Sequence, residues 1–162
     1  MGISADIYTA ERASFRERIA ALVGRSTWRE PMEGHSTAPL RMTDQDVAAA
    51  LAYARQGPDD IGPDIAYCII CGSDWHRARI IKGLATALFH AGGHWLRKGK
   101  PYLLTIADDA FCALVHQRRI VRPEGCPAKT YDALLLVALS SLQSVADESI
   151  RRAERAFRSQ AA

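Results

Sequence analysis

Apolar residues recur at intervals of three and four along most of the chain, the period of an amphipathic helix, and glycine or proline interrupts these stretches. Residues 5–24, ADIYTAERASFRERIAALVG, predict an opening helix that docks through Phe15, Ile19 and Leu22 and stops at Gly24. Periodicity is lost over 25–42, where Pro31, Gly34 and Pro39 mark a long loop containing Trp28, Glu33 and His35. TDQDVAAALAYARQGP, residues 43–58, predicts a second helix. Thr43 and Asp46 have the spacing of a capping box, and Val47, Ala50, Leu51 and Ala54 form the apolar face.

The segment AYCIICGSDWH, residues 66–76, divides at Gly72. Before the glycine lies an apolar stretch that reads either as a helix from Pro63 or as a metal-binding knuckle. After it, SDWHRARIIKGLATALFHAGG predicts a helix capped by Ser73, with Asp74 at its positive end and Trp75, Ala78, Ile81, Ala85 and Leu88 sharing a face. Gly92 and Gly93 end it. HWLRKGKP is turn-like, YLLT reads as a short strand or a lead-in, and Thr105 is positioned to cap IADDAFCALVHQRR, a helix burying Phe111, Leu114 and Val115. Beyond the loop VRPEGCPAK, residues from about 130 to 157 predict the longest helix, with Leu135, Ala138, Leu142 and Val145 on one side. The fold class is therefore all-α: a compact bundle of about five helices, with a short two-stranded or knuckle element near 65–72 and 102–104 as a local variant. At 162 residues a single helical domain over 1–162 is expected.

Composition adds limits. A hydrophobic fraction of 48% sets the chain apart from disordered sequences. Runs such as IAYCII and ALLLVAL fall far short of the roughly 20 residues that span a bilayer, and the amino-terminal residues lack the pattern of a secretory signal. A cytoplasmic location with no membrane partner is the resulting expectation. It makes structural disulfides among Cys68, Cys71, Cys112 and Cys126 the weaker reading.

The charge is uneven. Lys and Arg against Asp and Glu number 7 to 10 in residues 1–73, 10 to 4 in 74–129, and 4 to 4 in 130–162. The middle segment carries the excess, and an anionic partner is the functional explanation for it. Arg77, Arg79 and Lys82, then Arg97, Lys98 and Lys100, then Arg118, Arg119 and Arg122 would together neutralise several phosphates if folding brought them onto one surface. The opposing explanation is a solvated face whose arginines complement helix carboxyl ends.

The cysteines allow three chemistries. Two thiolates two residues apart can grip one zinc ion, and Cys68 and Cys71 would need partners from Cys112, Cys126 or His116, of which Cys112 and His116 share a helical face. The isoleucines between Cys68 and Cys71 favour plain burial instead. Third, Cys68, Cys71 and His76 resemble the cysteine pair and following histidine of the all-helical disulfide reductases of the alkylhydroperoxidase D type, over eleven residues. That resemblance implies a dithiol oxidoreductase in which Cys71 and Cys68 exchange electrons and His76 manages the proton, although the histidine stands one residue further on and the preceding glutamate is missing.

No glycine-rich phosphate loop, GxGxxG, HExxH or GxSxG occurs, so nothing specifies an enzyme. The leading expectation is a small regulatory or adaptor protein that binds DNA or RNA through its basic middle segment, with zinc as its cofactor if the cysteines converge. A helical protein-interaction or inhibitor module with buried cysteines is the first alternative, and the dithiol oxidoreductase is the second.

Overall fold

The computed structural model describes residues 15–22 and 43–160, and every regular element among them is helical. Residues 15–22 are α1, followed by α2 (Asp44–Ala52), α3 (Gly62–Cys71), α4 (Arg77–Ala91), α5 (Leu96–Gly99), α6 (Leu103–His116) and α7 (Ala128–Gln160). The start and stop expected for the first helix and the loop bearing Trp28, Glu33 and His35 lie outside the described residues.

The local signals account for most boundaries. In α2 the Thr43 hydroxyl accepts from the Asp46 amide and the Asp46 carboxylate accepts from the Thr43 amide, the reciprocal pair that satisfies two otherwise unpaired donors. Helix α3 ends where Gly72 takes a left-handed φ of 66°, a conformation without penalty only for glycine, so that the Gly72 and Ser73 amides can both donate to the Cys68 carbonyl. No knuckle or strand forms at 65–72 or 102–104. Ile65, Ala66, Cys68, Ile69 and Ile70 are all buried on α3, and Leu103 opens α6.

Two registers differ from expectation. Ser73 does not cap α4. Its hydroxyl accepts from the Trp75 amide in a tight turn, the helix begins at Arg77, and the buried face is Ile80, Leu84, Ala85 and Leu88, leaving Trp75 and Ala78 exposed. The i, i+4, i+8 row of large aliphatic residues prevails because it fits the groove of α6. Likewise Thr105 lies inside α6, and that helix stops at Gln117 with φ 54°, so Arg118 and Arg119 fall beyond it.

Helix α7, about 50 Å long at 1.5 Å per residue, is the spine: α2, α3, α4 and α6 all pack on it, and α4 also packs on α6. Its buried row of Tyr131, Leu134, Leu135, Ala138, Leu139, Leu142, Ala146, Ile150 and Ala153 is the centre of the core. By length and composition alone α7 is apolar enough to cross a membrane, with a window of mean hydropathy 1.3, of which 44% is buried in the bundle. The approach of α3 to α7 is close: a Cβ on Gly62 would stand 2.1 Å from the Ser149 hydroxyl oxygen, which is why the first turn of α3 needs glycine. Phe15, Ile19 and Leu22 of α1 are buried as expected, and Arg18 of the same helix bonds both Asp147 and Glu154 of α7.

Polar anchoring centres on Asp64. Its side chain is 1% exposed, and it pairs with Arg55 at 2.5 Å and Arg79 at 3.4 Å, while Arg79 also donates to the Pro58 carbonyl and Arg55 to that of Asp60. The turn between α2 and α3 and the first turns of α3 and α4 are thus tied to one carboxylate. Asp60 completes the turn by accepting from the Gln56 and Gly62 amides and pairing with Arg152 of α7 at 3.1 Å.

Removing cations from a buried anion costs more than removing the anion, because the arginines can reach water and the carboxylate cannot. Arg55→Met with Arg79→Met is expected to destabilise by about 3 to 5 kcal/mol and Asp64→Asn by about half that, measured as shifts in urea midpoint at constant slope. A second check concerns α1. The Arg18 hydrogen bond holds the Glu154 carboxyl below its ordinary value of 4.5, so its contribution is present above that pH and fades as pH falls. The stability difference between Arg18→Met and the parent should therefore shrink between pH 6 and pH 3.

Candidate nucleic-acid interface

The nine basic residues expected to form one surface divide into paired and unpaired sets. Arg77 is engaged: its guanidinium donates to Asp108 at 2.6 and 3.0 Å, reaches Cys112 Sγ at 3.2 Å, lies 3.5 Å from Asp74, and stacks over the Phe111 ring. Arg79 is held by Asp64 and Pro58. Arg122 donates to the Cys126 carbonyl. By contrast Lys82, Arg97, Lys98, Arg118 and Arg119 are exposed and have no ion-pair partner among the described residues. Lys100 places its ammonium 5.2 Å from the Phe89 ring centroid, and its charge has no counter-anion among the described residues.

Nor do the three groups meet at one point. The His116 ring nitrogen lies 2.7 Å from Asp74, which sets the end of α6 beside the start of α4, whereas Lys100 lies against the last turn of α4. The two helices are antiparallel, and their 14- and 15-residue lengths separate Arg118 and Arg119 from the Arg97–Lys100 group by roughly 20 Å. Between the two ends runs the outward row of α4. Ala78, Lys82, Thr86 and Phe89, spaced four, four and three, are all exposed, opposite the buried row of Ile80, Leu84 and Leu88.

One sequence signal for this surface is stronger than the charge totals. No Asp or Glu occurs between Asp74 and Asp108, a run containing six Lys or Arg residues and three of the five histidines. Helix α4 and the turns that follow it therefore carry cations with no acid of their own, and only acids from other elements can neutralise them. Asp64, Asp74 and Asp108 do so at the amino-terminal end of α4; none does so at the carboxyl-terminal end among the described residues.

The proposed metal ligands lie in separate environments. Cys68 is buried on α3 and its thiol donates to the Trp75 carbonyl at 2.9 Å; Cys112 receives the Arg77 hydrogen bond on α6; His116 is taken by Asp74; and Cys126 is buried in the loop before α7. Among the described residues no three His, Cys, Asp or Glu side chains are grouped to hold a metal ion. Three of the four cysteines, Cys68, Cys71 and Cys126, belong to the core or pack against it.

Redox pairing finds equally little support in the geometry. His76 stands beyond the Gly72 stop, in the left-handed region at φ 58°, on a different segment from the helix that carries both thiols. Burial pushes the Cys68 thiol up to about 12, and burial with a hydrogen bond to Asp44 pushes Cys71 up to about 11, the opposite of the lowered value that makes a thiol nucleophilic.

Cys68 is thus expected to resist a small disulfide reagent at pH 8, where only about one thiol in ten thousand would be ionised, and to react fully after denaturation. Because its folded value lies above the ordinary 9, its contribution to stability is complete below pH 9 and is lost as pH rises toward 12. Cys68→Ser should flatten that alkaline decline in a series of thermal melts. In comparisons with known proteins, no family, no curated protein and no solved structure matches this chain.

Proposed function

We propose that this protein is a small regulatory or adaptor protein that binds nucleic acid, with phosphates gripped by the outward row of α4 and the turns between α4 and α6. The observation that carries this reading is the acid-free run from Trp75 to Ala107, on which Lys82, Arg97 and Lys98 are exposed and have no ion-pair partner among the described residues. Exposed cations without local acids raise the local potential over a surface, and a phosphate backbone releases its counterions on meeting them. Helix-end complementarity is an incomplete explanation for this group: Lys82 sits in the second turn of α4, not at its carboxyl end.

The reading does not require a metal. It concentrates the nine candidate residues on Lys82, Arg97, Lys98 and Lys100, with Arg118 and Arg119 as a second group, Arg77 and Arg79 assigned to internal ion pairs and Arg122 to the Cys126 carbonyl.

A protein partner is the second reading, for which the exposed Leu136 on α7, at 59%, is an apolar point of contact. The two readings differ in their response to salt. Affinity for a DNA or RNA oligonucleotide should fall linearly on a log–log plot as salt rises, and each lost phosphate contact should lower the slope by about 0.7 to 0.9. Arg97→Ala, Lys98→Ala and Lys100→Ala combined are expected to reduce the slope by about 2 to 3. Arg151→Ala with Arg155→Ala, two arginines paired on α7 with Asp147 and Glu148, should leave it unchanged. Absence of any salt-dependent binding would remove the nucleic-acid reading and leave the protein partner.

A further inference from the structure

We infer that the ligand of the α4 surface is single-stranded, its unpaired bases stacking on an aromatic platform formed by Trp75 and His76; this rests on the nucleic-acid reading above and narrows it.

The platform is an unusual use of a tryptophan. Trp75 is 51% exposed, although the sequence pattern assigns it to the buried face of the helix. Its ring stacks on His76 at a centroid distance of 4.6 Å and an interplanar angle of 28°, and Tyr67 of α3 meets it edge-on at 5.0 Å. The backbone enforces the arrangement. His76 holds a left-handed φ of 58°, a cost for a residue with a Cβ, and the Trp75 carbonyl is fixed by the buried Cys68 thiol. The indole is thereby left half exposed, with the exposed His76 ring against one face and Tyr67 in edge contact.

Cations flank this platform. Asp74, the residue before Trp75, bonds His116, two residues before the exposed Arg118, whose charge helps to hold the Asp74 carboxyl below its ordinary value. Asp74 is an exposed acid at the edge of the platform, 2.7 Å from the His116 ring nitrogen and 3.5 Å from Arg77. From here the exposed row Ala78, Lys82, Thr86 and Phe89 leads along α4 to Phe89, 44% exposed beneath Lys100, and to Arg97 and Lys98. A track of roughly 20 Å, with Asp74 at its platform end and no acid on α4 itself, thus carries an exposed aromatic at each end and cations at both ends and in the middle.

That alternation suits a strand whose bases are free. Phosphates repeat along it, and stacking on an aromatic ring is available to any base that is not already paired. A duplex hides its base faces, leaving Trp75 nothing to stack on, and the backbone alone would be gripped. On the α4 row Lys82 and Thr86 are the side chains able to reach a base edge, too few to read a run of bases, so sequence preference should be slight.

The experiment measures affinity for a single-stranded oligothymidylate and for a duplex of the same length at one salt concentration, using the full chain. The parent should prefer the single strand. Trp75→Ala should weaken single-strand binding about tenfold, within the range of one lost stacking contact, and change duplex binding less than twofold. Trp75→Phe should keep most of the affinity, which a merely structural effect on the α3–α4 turn would not explain, and unchanged thermal melting would show both variants folded. If Trp75→Ala leaves single-strand affinity within twofold while the Arg97, Lys98 and Lys100 substitutions still lower it, the stacking inference is overturned and the nucleic-acid reading stands. If neither oligonucleotide binds, both are overturned.

Discussion

A carboxylate almost wholly removed from water organises much of this fold. Asp64 sits in the first turn of α3 with its side chain 1% exposed, and a charge in that position is tolerable only if cations come to it. Arg55 arrives from the turn after α2 and Arg79 from the first turn of α4, so α3, α4 and the turn joining α2 to α3 are fixed relative to one atom group. Satisfying Asp64 has a second effect. It compensates the charge of Arg79, as Asp108 compensates that of Arg77, and thereby helps to decide which basic residues keep an unanswered charge among the described residues.

The same neighbourhood explains the cysteines. Once α3 packs against α7 closely enough that Gly62 admits no Cβ beside Ser149, its residues 65–70 have almost no route to solvent. Cys68 is then a small core residue with one useful hydrogen bond, to the Trp75 carbonyl, and that bond helps to hold the α3–α4 turn in which Trp75 and His76 face outward. A thiol that suggests metal or redox chemistry in sequence serves here as a peg for a turn.

Much of the helical plan was legible in the sequence. Thr43 with Asp46, Gly72, and Gly92 with Gly93 mark boundaries that the helices respect, and Phe15, Val47, Leu51, Phe111, Leu114 and Leu142 are buried as their spacing requires. Where two neighbouring apolar rows compete on one helix, spacing alone does not choose. Of the face expected for α4, Ala85 and Leu88 are buried but Trp75 and Ala78 are not, and Ile80 and Leu84 take their place, because the choice depends on the packing against α6, which is remote in sequence. Thr105 illustrates the same point at a boundary: a good capping residue is overridden when Leu103 has a core to enter.

The candidate site was legible in part. Composition located the basic excess in residues 74–129, and the absence of acids between Asp74 and Asp108 is a signal of the same kind, local and visible without folding. Which cations are free was not visible, since Asp64, Asp74 and Asp108 neutralise Arg79 and Arg77 across gaps of up to 31 residues. The sequence by itself determined helix content, most helix ends and the place of the charge, because capping, propensity and hydrophobic period act within a few residues. Tertiary structure alone decided the buried face of α4, the dispersal of the cysteines, the outward turn of Trp75 and the division of the arginines. Each of these depends on burial and on Coulomb pairing between segments that only the assembled bundle brings within a few ångströms.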